Sequence, residues 1–443
     1  MASNPRKKKT LPETSSIDNL SRTLAHQQPN YVCSDWLAGS DYQLGTQMDQ
    51  APILTEAFYA NFLTYFTQSG ERTELQNRQT WMHQLPYLSS DGTNVALSLA
   101  VRATAFAYCG VEMANLALFQ ESCKVYGQAL NAHSRMIRLN KGKQVTVHMI
   151  STSVILSIYE AMRTTTADAY REHLYGAARM LEETGPGQCL HGVLCQLFFH
   201  IRTQMAFVYL TTQKGSEKRL DVKRILVENL EYEKLPMFQR LMGHVAALAE
   251  IYVKTITAGS KRQPSDLATY SNVQKQIDGL WLEYQNQAAK KGELLYWQEK
   301  GRMVFRNGMT ALMIAYFCSA RALFSVLAPR IADTYMDLSD HFGMILESAK
   351  YLRTPTIGCA YIRMATPLYL VALHSPLEEQ RQDAKNAFHE WSRGSMAGVS
   401  GLALDAIAKR QEWLLNERSG LDAVAGQAGS MGNSSISPTI VGD

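Results

Sequence analysis

The sequence predicts an all-α fold, a large irregular array of about fifteen helices with disordered ends. Two observations carry that expectation. Apolar residues recur at i, i+4, i+7 and i+11 in one segment after another, as in Tyr170, Leu174, Ala177 and Leu181, which places them on one helical stripe. Almost no stretch alternates apolar and polar residues with period two, so strands should be rare. Composition agrees: 46% of residues are hydrophobic and 19% charged, with 19 Met and only 13 Pro, which suits a soluble helical protein with a substantial core.

Charge and cysteine usage narrow the class further. Lys+Arg 44 against Asp+Glu 40 leaves +4, too balanced for a surface that coats nucleic acid. Seven cysteines (33, 109, 123, 189, 195, 318 and 359) are scattered and form no CxxC, a pattern that fits free thiols in a reducing compartment better than a disulfide framework. The N-terminus is charged and lacks an apolar h-region, which argues against secretion and makes the Asn433-Ser434-Ser435 sequon irrelevant. The nearest approach to a membrane span, 311–328, is interrupted by Arg321 and reads as a buried bundle helix. No membrane association is expected.

Taken in order, residues 1–50 are polar and expected to be disordered. Within them Arg6, Lys7, Lys8 and Lys9 follow Pro5 and read as a nuclear localisation signal or phosphate contact, or as a solvated tail. A helical domain spans 51–418. Its first helix runs through EAFYANFLTYF to Ser69-Gly70; NRQTWMHQLPYL follows, with Trp81 and Leu85 on one side and Pro86 as a breaker. Residues 94–110 are apolar on nearly every face, ended by Gly110. From 114 to 139 the helix stripe is Tyr126, Leu130, His133 and Ile137. A nearly all-apolar helix spans 145–163. The helix from Tyr170 starts after Thr164-Thr165-Thr166, where a Thr hydroxyl can cap free amides, and stops at Gly185-Pro186. Residues 191–210 are again apolar, and the charged stretch 211–235 is a candidate internal connector. Phe238, Leu241, Val245, Leu248 and Tyr252 form a seam-like helix, with a polar linker over 255–270. Helices are expected near 271–291, 296–328, 332–352, 355–374, 376–393 and 400–417, and a disordered tail over 419–443.

The familiar catalytic patterns fail on residue type or spacing. Gly185-Pro186-Gly187 follows a helix, and Pro186 removes an amide that phosphate would need. GxSxG and HExxH are absent. Asp333, Asp337 and Asp340 share a helical face, but no acidic neighbour strengthens them as a magnesium site, so a solvated face is preferred. Cys189, His191 and Cys195 are the only close group of soft ligands, and a buried thiol beside a loop histidine explains them better than zinc. His173 has no identifiable nucleophile or acid paired with it. An imidazole that bridges packed helices or bonds a backbone carbonyl accounts for it. No catalytic residue, metal or cofactor is expected.

The wording of the central helix says more than its periodicity. Tyr170, His173, Gly176 and Ala177, then a hydrophobic pair and Gly185-Pro186, give aromatic-x-x-His-x-x-Gly-Ala…Gly-Pro. Upstream stand Tyr126, Ala129 and Leu130 as Tyr-x-x-Ala-Leu, and an apolar helix ending in Tyr159-Glu160. Downstream, MATPLYLVALHSPLEEQR (364–381) sets an apolar Pro-Leu run from Pro367 before His-Ser and an acidic-basic helix. This succession resembles the regulatory domain in the C-terminal part of fungal zinc binuclear cluster transcription factors. Tyr170 and Thr366 stand where that family usually has Trp. Six cysteines in two half-sites normally precede the domain and present a helix to the DNA major groove. Here only Cys33 falls in the first 108 residues, and the Arg6–Lys9 run adds non-specific phosphate attraction without reading bases.

The resemblance implies a nuclear transcription regulator-like protein serving a fungal metabolic, secondary-metabolite gene cluster. It would act through other transcription regulators or chromatin-bound proteins, or through a small-molecule effector. Contact with DNA would be indirect or non-specific, and a homodimer is one open assembly state. Three other readings stay open: a truncated gene model with the zinc cluster encoded upstream, a cytoplasmic helical scaffold, and an all-helical biosynthetic enzyme.

Overall fold

The computed structural model describes residues 81–90, 92–142, 144–166, 168–184, 186–189, 191–212, 235–258, 266–327, 338–353 and 359–412, with isolated helical positions at 56, 57 and 60. The basic run at 6–9, most of the connector 211–235, Asp333, Asp337, Gly185 and the tail lie outside the described residues. What is described is all-α apart from one hairpin. In order come α1 (Trp81–Ser90), α2 (Val95–Glu112), α3 (Leu116–Leu139), α4 (Val147–Met162), α5 (Ala169–Thr184), a 3-10 turn (Pro186–Cys189), α6 (Gly192–Leu210), α7 (Met237–Ala258) and α8 (Asp266–Lys290). Strands β1 (Tyr296–Glu299) and β2 (Arg302–Phe305) follow, then α9 (Gly308–Leu327), α10 (Leu338–Leu352), α11 (Cys359–Ile362), α12 (Ala365–His374), α13 (Glu378–Trp391) and α14 (397–412).

The helices start where the side chains supply caps. Asn94 and Asn115 accept from the amides of Leu97 and Leu118, three residues on, and Thr146 does the same for Met149. Each bond satisfies one of the four amides a helix start leaves open, worth about 1 kcal/mol. The most apolar helices are the most deeply placed. α2, α6 and α9 are long and apolar enough to cross a membrane, yet 67%, 78% and 78% of their apolar windows are buried against the rest of the protein. Arg321, the charge within the apolar run, lies inside α9. It pairs with Asp278 of α8 at 3.1 Å, its guanidinium 5.6 Å from the Trp281 ring, at the edge of an otherwise buried helix.

α2 and α3 form a tight helical hairpin, with α4 on α2 and α5 on α4. α6 packs on α5, α7 and α12, while α9 sits among α7, α8, α10 and α12. Two glycines permit close approaches. A Cβ on Gly110 would lie 3.0 Å from the Phe119 amide nitrogen. Gly110 therefore lets α3 turn back against α2 and does not end the helix, which runs on to Glu112. A Cβ on Gly398, at the start of α14, would lie 1.8 Å from the Glu160 carbonyl oxygen at the end of α4.

Four further sequence expectations need correction. Pro86 does not break α1: the helix continues to Ser90, and the Ser89 and Ser90 hydroxyls donate to the Pro86 carbonyl at 3.4 and 2.6 Å. The polar linker is shorter than 255–270, because α7 runs to Ala258 and α8 starts at Asp266. The helix expected over 296–328 begins only at Gly308. Its first residues form the β1–β2 hairpin, with Tyr296 opposite Phe305. Lys300 (φ 50) and Gly301 (φ 74) turn the hairpin, since positive φ at both central residues matches the twist of paired strands. Phe305, 1% exposed, seals it against Tyr351 at 5.2 Å between centroids. The helix expected over 355–374 is split into α11 and α12 at 363–364.

Candidate functional site

Tyr126, Tyr159, Glu160 and His173, four of the residues that carry the resemblance, converge. Tyr126 lies on α3, Tyr159 and Glu160 close α4, and His173 and Gly176 sit in the middle of α5. α3 and α4 each bring an apolar stripe inward, and Gly176 faces Ser153 of α4, whose Oγ lies 3.9 Å from where a Cβ would stand, an ordinary contact.

Glu160 is the centre. It is fully buried, and no Lys or Arg pairs with it among the described residues. Its oxygens take three donors instead. The Tyr126 hydroxyl donates to Oε1 at 2.5 Å, the Thr165 hydroxyl to the same oxygen at 2.5 Å, and the Thr165 amide to Oε2 at 2.7 Å. A carboxylate out of water needs hydrogen-bond donors, and three neutral ones serve its two oxygens here. Of the Thr run expected to cap α5, the Thr165 hydroxyl and amide thus serve Glu160. Thr165 also pins the loop between α4 and α5.

Tyr126 has one proton, which it gives to Glu160. Its contact with His173 Nε2 at 2.9 Å must therefore place the imidazole proton on Nε2, donating to the phenol oxygen. Burial, with His133 nearby, lowers the pKa of His173 to about 4, so the ring is neutral at physiological pH. Burial together with Glu160 pushes the Tyr126 phenol well above its ordinary value. The order His173 to Tyr126 to Glu160 is thus a fixed relay of hydrogen bonds linking α5, α3 and α4. Tyr126 also stacks on Tyr159, centroids 4.0 Å apart and planes 9° apart, and the Tyr159 hydroxyl donates to Cys123 Sγ at 3.6 Å.

Further along α3, His133 Nε2 meets Ser153 Oγ at 2.8 Å, tying α3 to α4 again. Burial alone lowers its pKa to about 4, and its Nδ1 has no partner among the described residues. Tyr170 is buried and donates to Gln204 Oε1 at 3.0 Å, joining α5 to α6. Ala177 is fully buried and Leu130 half-buried. Pro186 opens the 3-10 turn after α5.

The late motif has its own junction. Pro367 is buried in the first turn of α12, where a proline costs no hydrogen bond. His374 Nε2 meets the Tyr252 hydroxyl of α7 at 2.8 Å, and burial with Arg410 nearby lowers the His374 pKa to about 4. The Tyr369 hydroxyl donates to the Leu210 carbonyl at 3.3 Å. Ser375 receives the Leu377 amide at 3.2 Å as the chain turns into α13.

The Cys189, His191 and Cys195 group does not assemble. Cys189 is buried beside Thr184, Cys195 is buried in α6, and His191 is exposed at the start of α6. Among the described residues no three His, Cys, Asp or Glu side chains gather to hold a metal ion. Of the acidic trio only Asp340, in the first turn of α10, is described. Sequence reasoning missed Thr165 and Ser153 as partners. Hydroxyl residues at a helix start and inside an apolar helix carry no signal of whom they will face. His133 was visible only as a polar member of the Tyr126–Leu130 stripe.

Comparison with protein-family models, characterised proteins and solved structures found no match.

Proposed function

We propose that this protein is a transcription regulator-like protein that works by interaction, with protein partners or a small-molecule effector, and controls a fungal metabolic gene cluster. One observation supports the reading above others. Three of the residues on which the resemblance to the fungal regulatory domain rests, Tyr126, Glu160 and His173, meet in one buried network, with Tyr159 stacked on Tyr126. Within the network Tyr126, Glu160 and Thr165 spend their polar atoms on one another, joining helices.

Two measurements test the proposal together. A fluorescently tagged chain should concentrate in nuclei and lose that preference when Arg6, Lys7, Lys8 and Lys9 are changed to Ala. Chromatin immunoprecipitation should enrich a discrete set of promoters, through a co-purifying DNA-binding partner. Nuclear exclusion that is indifferent to residues 6–9 would instead support a cytoplasmic scaffold. Turnover of a pathway intermediate, lost on changing Asp333 and Asp337, would support an enzyme.

A further inference from the structure

Where α2 begins, α3 ends and α4 begins, the surface combines two features that normally exclude each other. Asn94 Nδ2 donates to Met136 Sδ at 2.8 Å, Thr93 Oγ1 meets His148 Nε2 at 3.4 Å, and Asn140 Nδ2 donates to the Gln144 carbonyl at 3.0 Å. The three helix ends are thereby gathered into one corner. Val95 is 67% exposed there, Ile137 43% and Leu139 69%. Ile137 continues the Tyr126–Leu130–His133 stripe, yet in the last turn that stripe leaves the core.

Around these side chains stand Arg135, Arg138 and Lys141, all exposed and without an ion pair among the described residues. The charge is one-sided in sequence as well. Residues 122–159 contain no Asp or Glu, the longest acid-free run in the chain, and hold Lys124, Arg135, Arg138, Lys141 and Lys143. Cations at the end of α3 complement its dipole, which accounts for charge but not for three large apolar side chains left in water beside it.

We propose that this corner docks an acidic amphipathic helical segment of a partner protein. Apolar side chains of the segment cover Val95, Ile137 and Leu139, while its carboxylates pair with Arg135, Arg138 and Lys141. The inference rests on the regulator reading and names the chemistry of the partner. Nucleic acid fits less well: three cations neutralise about three phosphates, a weak and salt-sensitive gain, and the apolar side chains would have no role.

The test uses the purified full chain and a labelled synthetic peptide of about 18 residues, with Leu at i, i+3, i+4 and i+7 and Glu elsewhere. Fluorescence polarisation compares it with a peptide of the same composition but scattered Leu, with a short DNA duplex, and with phosphatidylserine vesicles. The amphipathic peptide should bind saturably and lose roughly ten-fold in affinity in the triple variant R135Q/R138Q/K141Q, and as much in I137S/L139S. Hydrogen exchange should slow at residues 93–97 and 135–142. Every substituted position is exposed, and circular dichroism checks that each variant is folded; if the apolar pair unfolds, the charge variant decides. Absence of saturable binding, equal binding of the scattered peptide, unchanged affinity in the variants, or tighter engagement of DNA or vesicles at this corner would each overturn the proposal. Peptide binding by a chain excluded from nuclei would keep the docking surface and sink the regulator reading. A nuclear, promoter-bound chain that ignores the peptide would do the reverse.

Discussion

Gly398 offers the sharpest test of how the last helix meets the network. A methyl group there would stand 1.8 Å from the Glu160 carbonyl oxygen, 2.7 Å from Thr164 Oγ1 and 3.0 Å from the Ala161 carbonyl oxygen. Two of these are backbone atoms at the end of α4, in the turn that carries Glu160. Relief requires α14 to move by more than about 1 Å or the α4 terminus to distort, because a carbonyl in a packed turn has no rotamer to change. Overpacking of this kind costs about 1–3 kcal/mol and more when backbone must shift, so Gly398→Ala should cost about 3 kcal/mol or more. At roughly 2–4 °C per kcal/mol for a large domain, the melting temperature followed by circular dichroism should fall by about 6 °C or more. Gly401, three residues on in the same helix, has nothing within 4 Å of the place a methyl group would take, and is exposed. Gly401→Ala should stabilise by about 0.5–1 kcal/mol through helix propensity and a less free unfolded chain. If Gly398→Ala melts within about 1 °C of the parent, or if Gly401→Ala is the less stable of the two, the close approach of α14 to α4 is not as described.

Tyr126→Phe removes the donor to Glu160 and the acceptor for His173 together, and should cost about 2–4 kcal/mol in urea denaturation, more than Tyr159→Phe, whose hydroxyl serves the neutral Ser122 and Cys123 and not a carboxylate. His133 has its pKa lowered by burial to about 4 from 6.5. Because the unfolded chain takes up this proton first, the contribution is present above about pH 6.5 and is lost as pH falls towards 4. His133→Gln should therefore flatten the acid limb of stability by up to about 1.4 kcal/mol per pH unit, read from denaturation series across that window. Gly301→Ala places a side chain at φ 74 and should cost about 1 kcal/mol, with faster hydrogen exchange confined to residues 296–305.

Helix periodicity placed α2, α4 and α6 within a few residues, because an apolar stripe and its capping side chains are local properties. The β1–β2 hairpin escaped it. Tyr-Trp-Gln-Glu and Arg-Met-Val-Phe flank a Lys-Gly turn, but four-residue strands give period two too little length to register, and the apolar run beyond absorbed them into α9. Pro86 was misread for a related reason. A proline inside a helix costs stability, but burial of Trp81, Met82 and Leu85 on the turn before it holds the helix together. The candidate site divides in the same way. Tyr126, Glu160 and His173 stood out by their wording, whereas Thr165, Ser153 and Gly398 became meaningful only as neighbours.

The sequence by itself determined that this chain is helical and where most helices lie. Only the tertiary structure decided that Glu160 is buried and met by neutral donors, that Thr165 serves Glu160, and that Ile137 faces water. Periodicity reports which side of a helix is apolar, a property of one segment. Which partner a buried hydroxyl or carboxylate finds depends on contacts between segments 5 to more than 200 positions apart, and those follow from packing the whole array at once.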